Sequence, residues 1–301
     1  MIYPKSLEKG DSIAIVSPAS KIDGALIDGA CRTIESWGFR PVLGEFCKGE
    51  YGSFSGSVDQ RLRDFKRAFE DEDVRAVLCS RGGYGTVQLL EYFQLNMWKN
   101  DPKWLIGFSD ISVLHAASFH AGVASLHGSM CKCLAEQPDS ESSRRIRDIL
   151  TGGLPEYLVQ GNTRNREGKA EGVISGGNLA VLSGIVSTPY NLLKKGNILF
   201  IEDVAEPIYK VERMLYTLRL NGTLEQIKGL IVGQFTEYKA SQDYTDMYDM
   251  IEDMVSGYNF PVAYNFPVGH VDRNLPIIEG AEVELEVGRQ EVRLKFIDNG
   301  R

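Results

Sequence analysis

Trp104-Leu105-Ile106-Gly107-Phe108-Ser109-Asp110 is the stretch on which the fold turns. Trp104 to Ile106 is the apolar end of a buried strand, and Gly107 permits a backbone turn that a larger residue resists. Ile111 to Phe119 carries apolar residues at helical spacing. A serine between a strand end and a helix start sits on a sharp turn with its hydroxyl exposed, as in a nucleophile elbow. The first N–H groups of such a helix lack internal partners, so the N–H of Asp110 is placed to hold an oxyanion. The elbow pattern is incomplete, because Ile111 stands where a second glycine is usual. A plain helix cap is the competing reading of Ser109 and Asp110.

The same strand-then-helix alternation continues on both sides. Ser12–Ser17, Arg40–Leu43 and Val74–Cys79 have strand patterns, followed by helical periodicity over Ile22–Trp37, Val58–Phe69 and Val87–Phe93. Val123–Leu126 is a possible fifth strand. Such alternation predicts a parallel sheet covered on both faces. Gln137–Arg166 is polar and interrupted by Pro138, Gly152, Gly153 and Pro155, with one helix near Ser140–Leu150. It is expected to connect an N-terminal domain, residues 1–136, to a C-terminal domain, residues 167–301. In the latter, strands are expected at Ala170–Ser175, Ile198–Ile201, Gly229–Val232 and Pro261–Ala263. Helices are expected ahead of Ile185, over Ile208–Leu220 and over Tyr244–Val255. Glu282–Val287 and Glu291–Phe296 alternate apolar and polar residues, the pattern of an antiparallel hairpin with one solvated face. The fold class is therefore α/β.

The chain has 301 residues, a size that suits about two domains. Its hydrophobic content of 43% and charged content of 25% are those of an ordinary globular protein. A net charge of -8 argues against nucleic acid or an anionic membrane as the main partner. The start, Met1 to Lys5, lacks the basic and apolar regions of a signal peptide, and no apolar run approaches the length of a bilayer span. Cys31, Cys47, Cys79, Cys131 and Cys133 are scattered and odd in number, as expected of reduced thiols in a cytoplasmic protein. No dense metal-ligand pattern is present, so no metal is expected.

Ligands of open α/β sheets bind beyond the carboxyl ends of the strands. Arg81-Gly82-Gly83-Tyr84-Gly85 lies at such an end. It has neither dinucleotide-fingerprint nor P-loop spacing. It is either a tight turn or a source of a second oxyanion donor, the N–H of Gly83. Glu202 ends a wholly apolar strand, where a carboxylate needs a partner. It is either a helix-capping acid or the orienting acid of a triad. Of four histidines, His115 and His120 are expected to be packed or solvated, and His127 could line a cleft. His270, after Pro267-Val268-Gly269, is the better general base. The resulting order is Ser109, Glu202, His270.

Taken together, Gly107-Phe108-Ser109-Asp110, Arg81-Gly82-Gly83-Tyr84-Gly85, Leu199-Phe200-Ile201-Glu202-Asp203 and Gly269-His270 with Asn274 resemble the L,D-carboxypeptidases. That serine peptidase family also contains the microcin C immunity proteins. Gly10 to Pro18, Ser175 to Leu179, Glu212 to Leu215 and Gly229 to Gly233 extend the likeness over nearly the whole chain. The resemblance implies a Rossmann-like N-terminal domain, a C-terminal domain with a mixed sheet, an active site between them, and a homodimer. It makes Ser109 the nucleophile, His270 the base, Glu202 its orienting acid, and the N–H groups of Gly83 and Asp110 the oxyanion hole. It implies release of the terminal D-alanine from a muropeptide tetrapeptide in cytoplasmic cell-wall recycling, with no cofactor. Arg81 and Arg213 are candidates for the substrate's carboxylate. Phe108, Ser112 and Ser129 depart from the family's usual tyrosine, threonine and proline, which bears on substrate preference. The competing readings are an immunity-type peptidase acting on peptidyl or aminoacyl adenylates, and a two-domain binding protein without catalysis.

Overall fold

The computed structural model describes residues 1–193 and 196–298. Residues 194, 195 and 299–301 of the expected C-terminal domain lie outside the described residues. The chain is α/β, with one largely parallel, Rossmann-like sheet and one mixed sheet, as expected. It divides into two compact units, Met1–Gly153 with Asp272–Gly280, and Leu154–Val271 with Ala281–Arg301.

The first unit opens with β1 (Ser12–Val16), α1 (Gly24–Ser36), β2 (Arg40–Leu43), α2 (Val58–Glu70) and β3 (Val74–Cys79). α3 (Leu95–Lys99), β4 (Trp104–Gly107), α4 (Ser112–Ala121), β5 (Ser125–His127), α5 (Cys131–Glu136) and α6 (Glu141–Leu150) follow. Local chemistry fixes the boundaries. Asp23 caps α1 through Ala25 N–H, and Ser57 with Gln60 forms a capping box on α2. The helix expected over Val87–Phe93 is instead a 3-10 helix, Thr86–Tyr92. β1 to β5 are mutually parallel in the spatial order 5-4-3-1-2. The order reverses between β1 and β3, so the loops leaving those strands frame a crevice at their carboxyl ends.

The second unit holds β6 (Glu156–Gln160), β7 (Gly168–Asn178), α7 (Leu179–Ile185), β8 (Ile198–Val204), α8 (Ile208–Leu220), β9 (Gly229–Thr236), α9 (Met247–Val255) and β10 (Val262–Tyr264). The chain then returns to the first unit as β11 (Ile277–Glu279), antiparallel to β5. It closes with the expected hairpin, β12 (Glu282–Val287) and β13 (Glu291–Phe296). The second sheet runs β10-β9-β8-β7-β12-β13-β6, parallel from β10 to β7 and antiparallel beyond. Leu199, Ile201, Leu230 and Val232 on its parallel part pack against Val211, Leu215, Ile251 and Val255 of α8 and α9.

Two stretches differ from the sequence expectation. Residues 137–166 hold the expected helix as α6, whose Ile146, Ile149 and Leu150 are buried, but also an unexpected strand, β6, paired with β13. The polar texture of β6 comes from an edge strand whose Glu156, Leu158 and Gln160 face solvent. β11 was not expected, because three residues are too few to show a period.

Candidate active site

β4 ends at Gly107, where a Cβ would stand 2.9 Å from Ile111, so only glycine lets the chain fold back here. Phe108 is extended, and Ser109 then takes φ 65°. A left-handed conformation at a non-glycine residue costs on the order of 1–2 kcal/mol, so the surroundings must impose it. A 3-10 turn, Ser109–Ile111, leads into α4. His115 supports this turn from below. It is buried, with Nε2 2.8 Å from the Gly107 carbonyl oxygen and Nδ1 2.8 Å from Ser125 Oγ. Burial drives its pKa down to about 4 against the opposing Gly107 bond, so the ring is neutral and structural. His127 is fully buried with its ring beside Phe108, so it does not line an open cleft. His120 is exposed.

The glycine loop after β3 lies against this elbow. A Cβ on Gly82 would stand 2.9 Å from Ser109 Cβ, 3.1 Å from Ser109 Oγ and 3.2 Å from the Asp110 nitrogen. Gly83 has φ 104°, and a Cβ there would meet Ser20 Oγ at 2.3 Å. Ser20 N–H donates to the Gly82 carbonyl, and Ser20 Oγ accepts the Tyr84 N–H. Thr86 ties the far end of the loop to the elbow twice. Its N–H donates to Asp110 Oδ2 at 2.9 Å, and its hydroxyl donates to the Asp110 carbonyl at 2.6 Å. Burial raises the Asp110 carboxyl pKa, while the Thr86 bonds and the Arg61 charge oppose the rise. Arg61 is 2% exposed and donates to the carbonyls of Gly56, Pro18 and Gly85 and to Gln88 Oε1. The loop bearing the Gly83 N–H is thereby held on the elbow bearing the Asp110 N–H. Arg81 is exposed and donates to the Lys21 carbonyl.

Glu202 and His270 come together in the second unit. Glu202 is fully buried on β8 and accepts a hydrogen bond from His270 Nδ1 at 2.7 Å through Oε2. Its Oε1 has no hydrogen-bond partner among the described residues. Donation from Nδ1 fixes the tautomer in which Nε2 carries the lone pair. Gly269 makes the contact possible: with φ 124°, it would bring any Cβ within 2.9 Å of Glu202 Cβ and Oε2. Burial lowers the His270 pKa, but the Glu202 hydrogen bond and the charges of Glu202, Asp203 and Glu237 outweigh it, leaving the pKa raised. Asp203 points to another set of partners. It accepts from Ala180 N–H, Val204 N–H and Asn178 Nδ2, and so closes the start of α7. Burial first, then the charge of Glu202, push its pKa up to about 6. Arg213 is exposed on α8, its guanidinium 5.6 Å from the Tyr209 ring centre.

Sequence reasoning passed over Gly82, Thr86 and Arg61. Gly82 stands in the loop already singled out and Thr86 directly after it, but only contacts reveal which glycine meets Ser109. Arg61 sits in an amphipathic helix and looks like one more charge on its outer face.

Comparison with known proteins gives the following matches. A family model described as the LD-carboxypeptidase N-terminal domain matches residues 13–128, and one described as its C-terminal domain matches residues 171–285. The murein tetrapeptide carboxypeptidase of Pseudomonas aeruginosa is 31% identical over 287 residues, 92% of this chain and 94% of that protein. The crystal structure of muramoyltetrapeptide carboxypeptidase from Oxalobacter formigenes superposes with a TM-score of 0.88 at 27% identity, over 96% of this chain and 100% of that one. The microcin C7 self-immunity protein MccF, in complex with aspartyl sulfamoyl adenosine, shares the fold. Its TM-score is 0.88 at 20% identity, over 98% of both chains.

Proposed function

This chain belongs to the LD-carboxypeptidase family of serine peptidases, and from that premise we propose that it releases the terminal D-alanine of a murein tetrapeptide. Ser109, His270 and Glu202 act as the triad in this reading. The observation that carries it is the 2.7 Å bond between His270 Nδ1 and a fully buried Glu202. A dry carboxylate locked to one imidazole nitrogen makes the other nitrogen a stronger base. The left-handed Ser109 supports the same reading, because strain of this kind gathers at reacting residues.

The reaction follows from these parts. His270 Nε2 takes the proton of Ser109 Oγ as that oxygen attacks the carbonyl carbon of the scissile bond. The N–H groups of Gly83 and Asp110 hold the resulting oxyanion. His270 returns the proton to the amine of D-alanine, which leaves. Water, deprotonated by the same nitrogen, then frees Ser109 from the acyl group. Glu202 stabilises the imidazolium through both halves without taking its proton. The substrate's terminal carboxylate calls for a cation, a role we assign to Arg81 or Arg213. The biological setting in this reading is cytoplasmic muropeptide recycling by a homodimer. The murein tetrapeptide relative, at 31% identity, favours this substrate over the adenylates suggested by MccF.

Ser109→Ala tests the proposal. D-alanine release from murein tetrapeptide, followed by mass spectrometry, is expected to fall on the order of 10⁶-fold in kcat while circular dichroism is unchanged. Full activity in that variant overturns the serine mechanism. An aminoacyl sulfamoyl adenosine assayed beside the tetrapeptide distinguishes the immunity-type activity.

A further inference from the structure

We infer that Tyr248, on α9, is a positioning residue that seats the His270 loop on Glu202 by bracing a bulge in β9. The inference rests on the hydrolase reading above for its kinetic consequences, and on the geometry of the second unit alone for its structural ones.

The bulge is read from the strand register. Ile201 of β8 faces Val232 of β9, but Asp203 faces Phe235. Two residues of β9, Gly233 and Gln234, therefore oppose one residue of β8, and that residue is Glu202. An extra residue turns backbone groups out of the ladder and re-aims the chain, and bulges gather beside active sites for this reason. Here the groups turned out are used. Gln234 N–H donates to the Val268 carbonyl at 2.9 Å. Gln234 Nε2 donates to Asn265 Oδ1 and to the Phe266 carbonyl. Phe266 N–H donates back to the Val232 carbonyl at 3.1 Å. The loop 265–268 is thus fastened to the bulge, and its next two residues are Gly269 and His270. Gly233 must be glycine, since a Cβ would stand 2.6 Å from the Val268 oxygen.

The bulge also displaces the groups on either side of Gln234. A single side chain meets both. The Tyr248 hydroxyl donates to the Gly233 carbonyl at 3.1 Å and accepts the Phe235 N–H at 3.3 Å. The Tyr248 ring is wedged edge-on between Phe235 and Tyr264. Without the hydroxyl, two backbone groups in a mostly buried place lose their partner, a situation that favours relaxation of the strand toward regular pairing. Regular pairing would withdraw Gln234 from Val268 and loosen the loop that holds His270 against Glu202.

The test is Tyr248→Phe in the full chain, which keeps the ring and removes the hydroxyl. Two readouts are used. The first is the His270 imidazole titration by NMR, which needs no turnover. The charged groups bearing on that ring are Glu202, Asp203 and Glu237. In the variant the His270 pKa is expected to move down toward its ordinary 6.5, as the Glu202 bond loosens. The second readout is the pH profile of D-alanine release. Its acid limb is expected to move down with the titration, and kcat to fall about 10- to 100-fold with KM little changed. Tyr258→Phe, which loses only a surface bond to Glu225, is expected to leave both readouts as they are. Gln234→Leu releases the loop from the other side and is expected to move both in the same direction as Tyr248→Phe, which covers the case of a poorly folded Tyr248 variant. A Tyr248→Phe protein with native His270 titration and native kcat would show that Tyr248 only packs, and would overturn the inference. If the wild type releases no D-alanine, the proposed function fails, and the NMR titration still decides on Tyr248.

Discussion

At Ser109 the backbone holds a left-handed conformation, and at Gly269 it holds one that brings the chain within touching distance of Glu202. The first carries strain that the surroundings must impose, and the second needs a glycine because a Cβ there would meet Glu202. The electrostatics of His270 repeat the pattern. Burial alone would make it a weaker base, yet Glu202 more than compensates and its pKa is raised. If His270 is the general base we propose, it works when neutral, so kcat/KM should fall as pH drops through a midpoint above 6.5. Glu202→Gln removes the raising charge, so its acid limb should move to lower pH. The plateau should drop by about 10⁴-fold, because the imidazolium of the transition state loses its counter-charge. The pH dependence of D-alanine release measures both, and an unmoved midpoint would contradict this account.

Among elements, the decisive contact is between two loops, one after β3 and one after β4. Each leaves its strand at the carboxyl end, and the parallel pairing of β3 with β4 sets them side by side. Thr86 then fastens its loop to Asp110 by two bonds. The separation between the loop's N–H groups and the elbow is fixed by this clamp and by the missing side chain at Gly82. Gly82→Ala inserts a methyl group 2.9 Å from Ser109 Cβ and pushes the loop away. The expected loss is about 10²–10³ in kcat, comparable to losing one oxyanion donor, with little change in the fold. Kinetics together with near-ultraviolet circular dichroism would check it, and a Gly82→Ala enzyme of normal kcat would show that the loop supplies no donor. The loop's glycines raised the oxyanion-donor reading beside that of a tight turn, but composition alone could not say that Gly82 carries the contact with Ser109.

For the molecule as a whole, the unusual feature is the path of the chain. It enters the second unit after Gly153, returns to the first for Asp272–Gly280, and ends in the second. The returning piece adds β11 to the edge of the first sheet, where Ile278 is fully buried and faces Leu126. Stability of the first unit therefore depends on residues encoded more than a hundred positions later. Trp37, Trp98 and Trp104, the three tryptophans of the chain, all lie in the first unit. Ile278→Ala should lower the urea midpoint of tryptophan fluorescence, with a cost of about 2–5 kcal/mol for the lost core volume. A transition unchanged from wild type would mean that β11 contributes nothing to that unit.

Local order was legible in the sequence because it is written in local terms. Strand and helix periods, the glycine at a tight turn and the acid directly after four apolar strand residues all follow from residues within a few positions of one another, though β8 runs on through that acid to Val204. These set the α/β class, the ends of most elements, and Ser109, Glu202 and His270 as residues worth watching. What the tertiary structure decided depends on partners far apart in the chain, whose identity no local pattern encodes. It showed which glycine meets Ser109, that Glu202 bonds His270 across 68 positions, and that an extra residue in β9 faces Glu202. It also sent the three residues Ile277 to Glu279, beyond His270, back to complete the first sheet. Hydrogen bonding and close packing act over ångströms in space, whatever the separation along the chain.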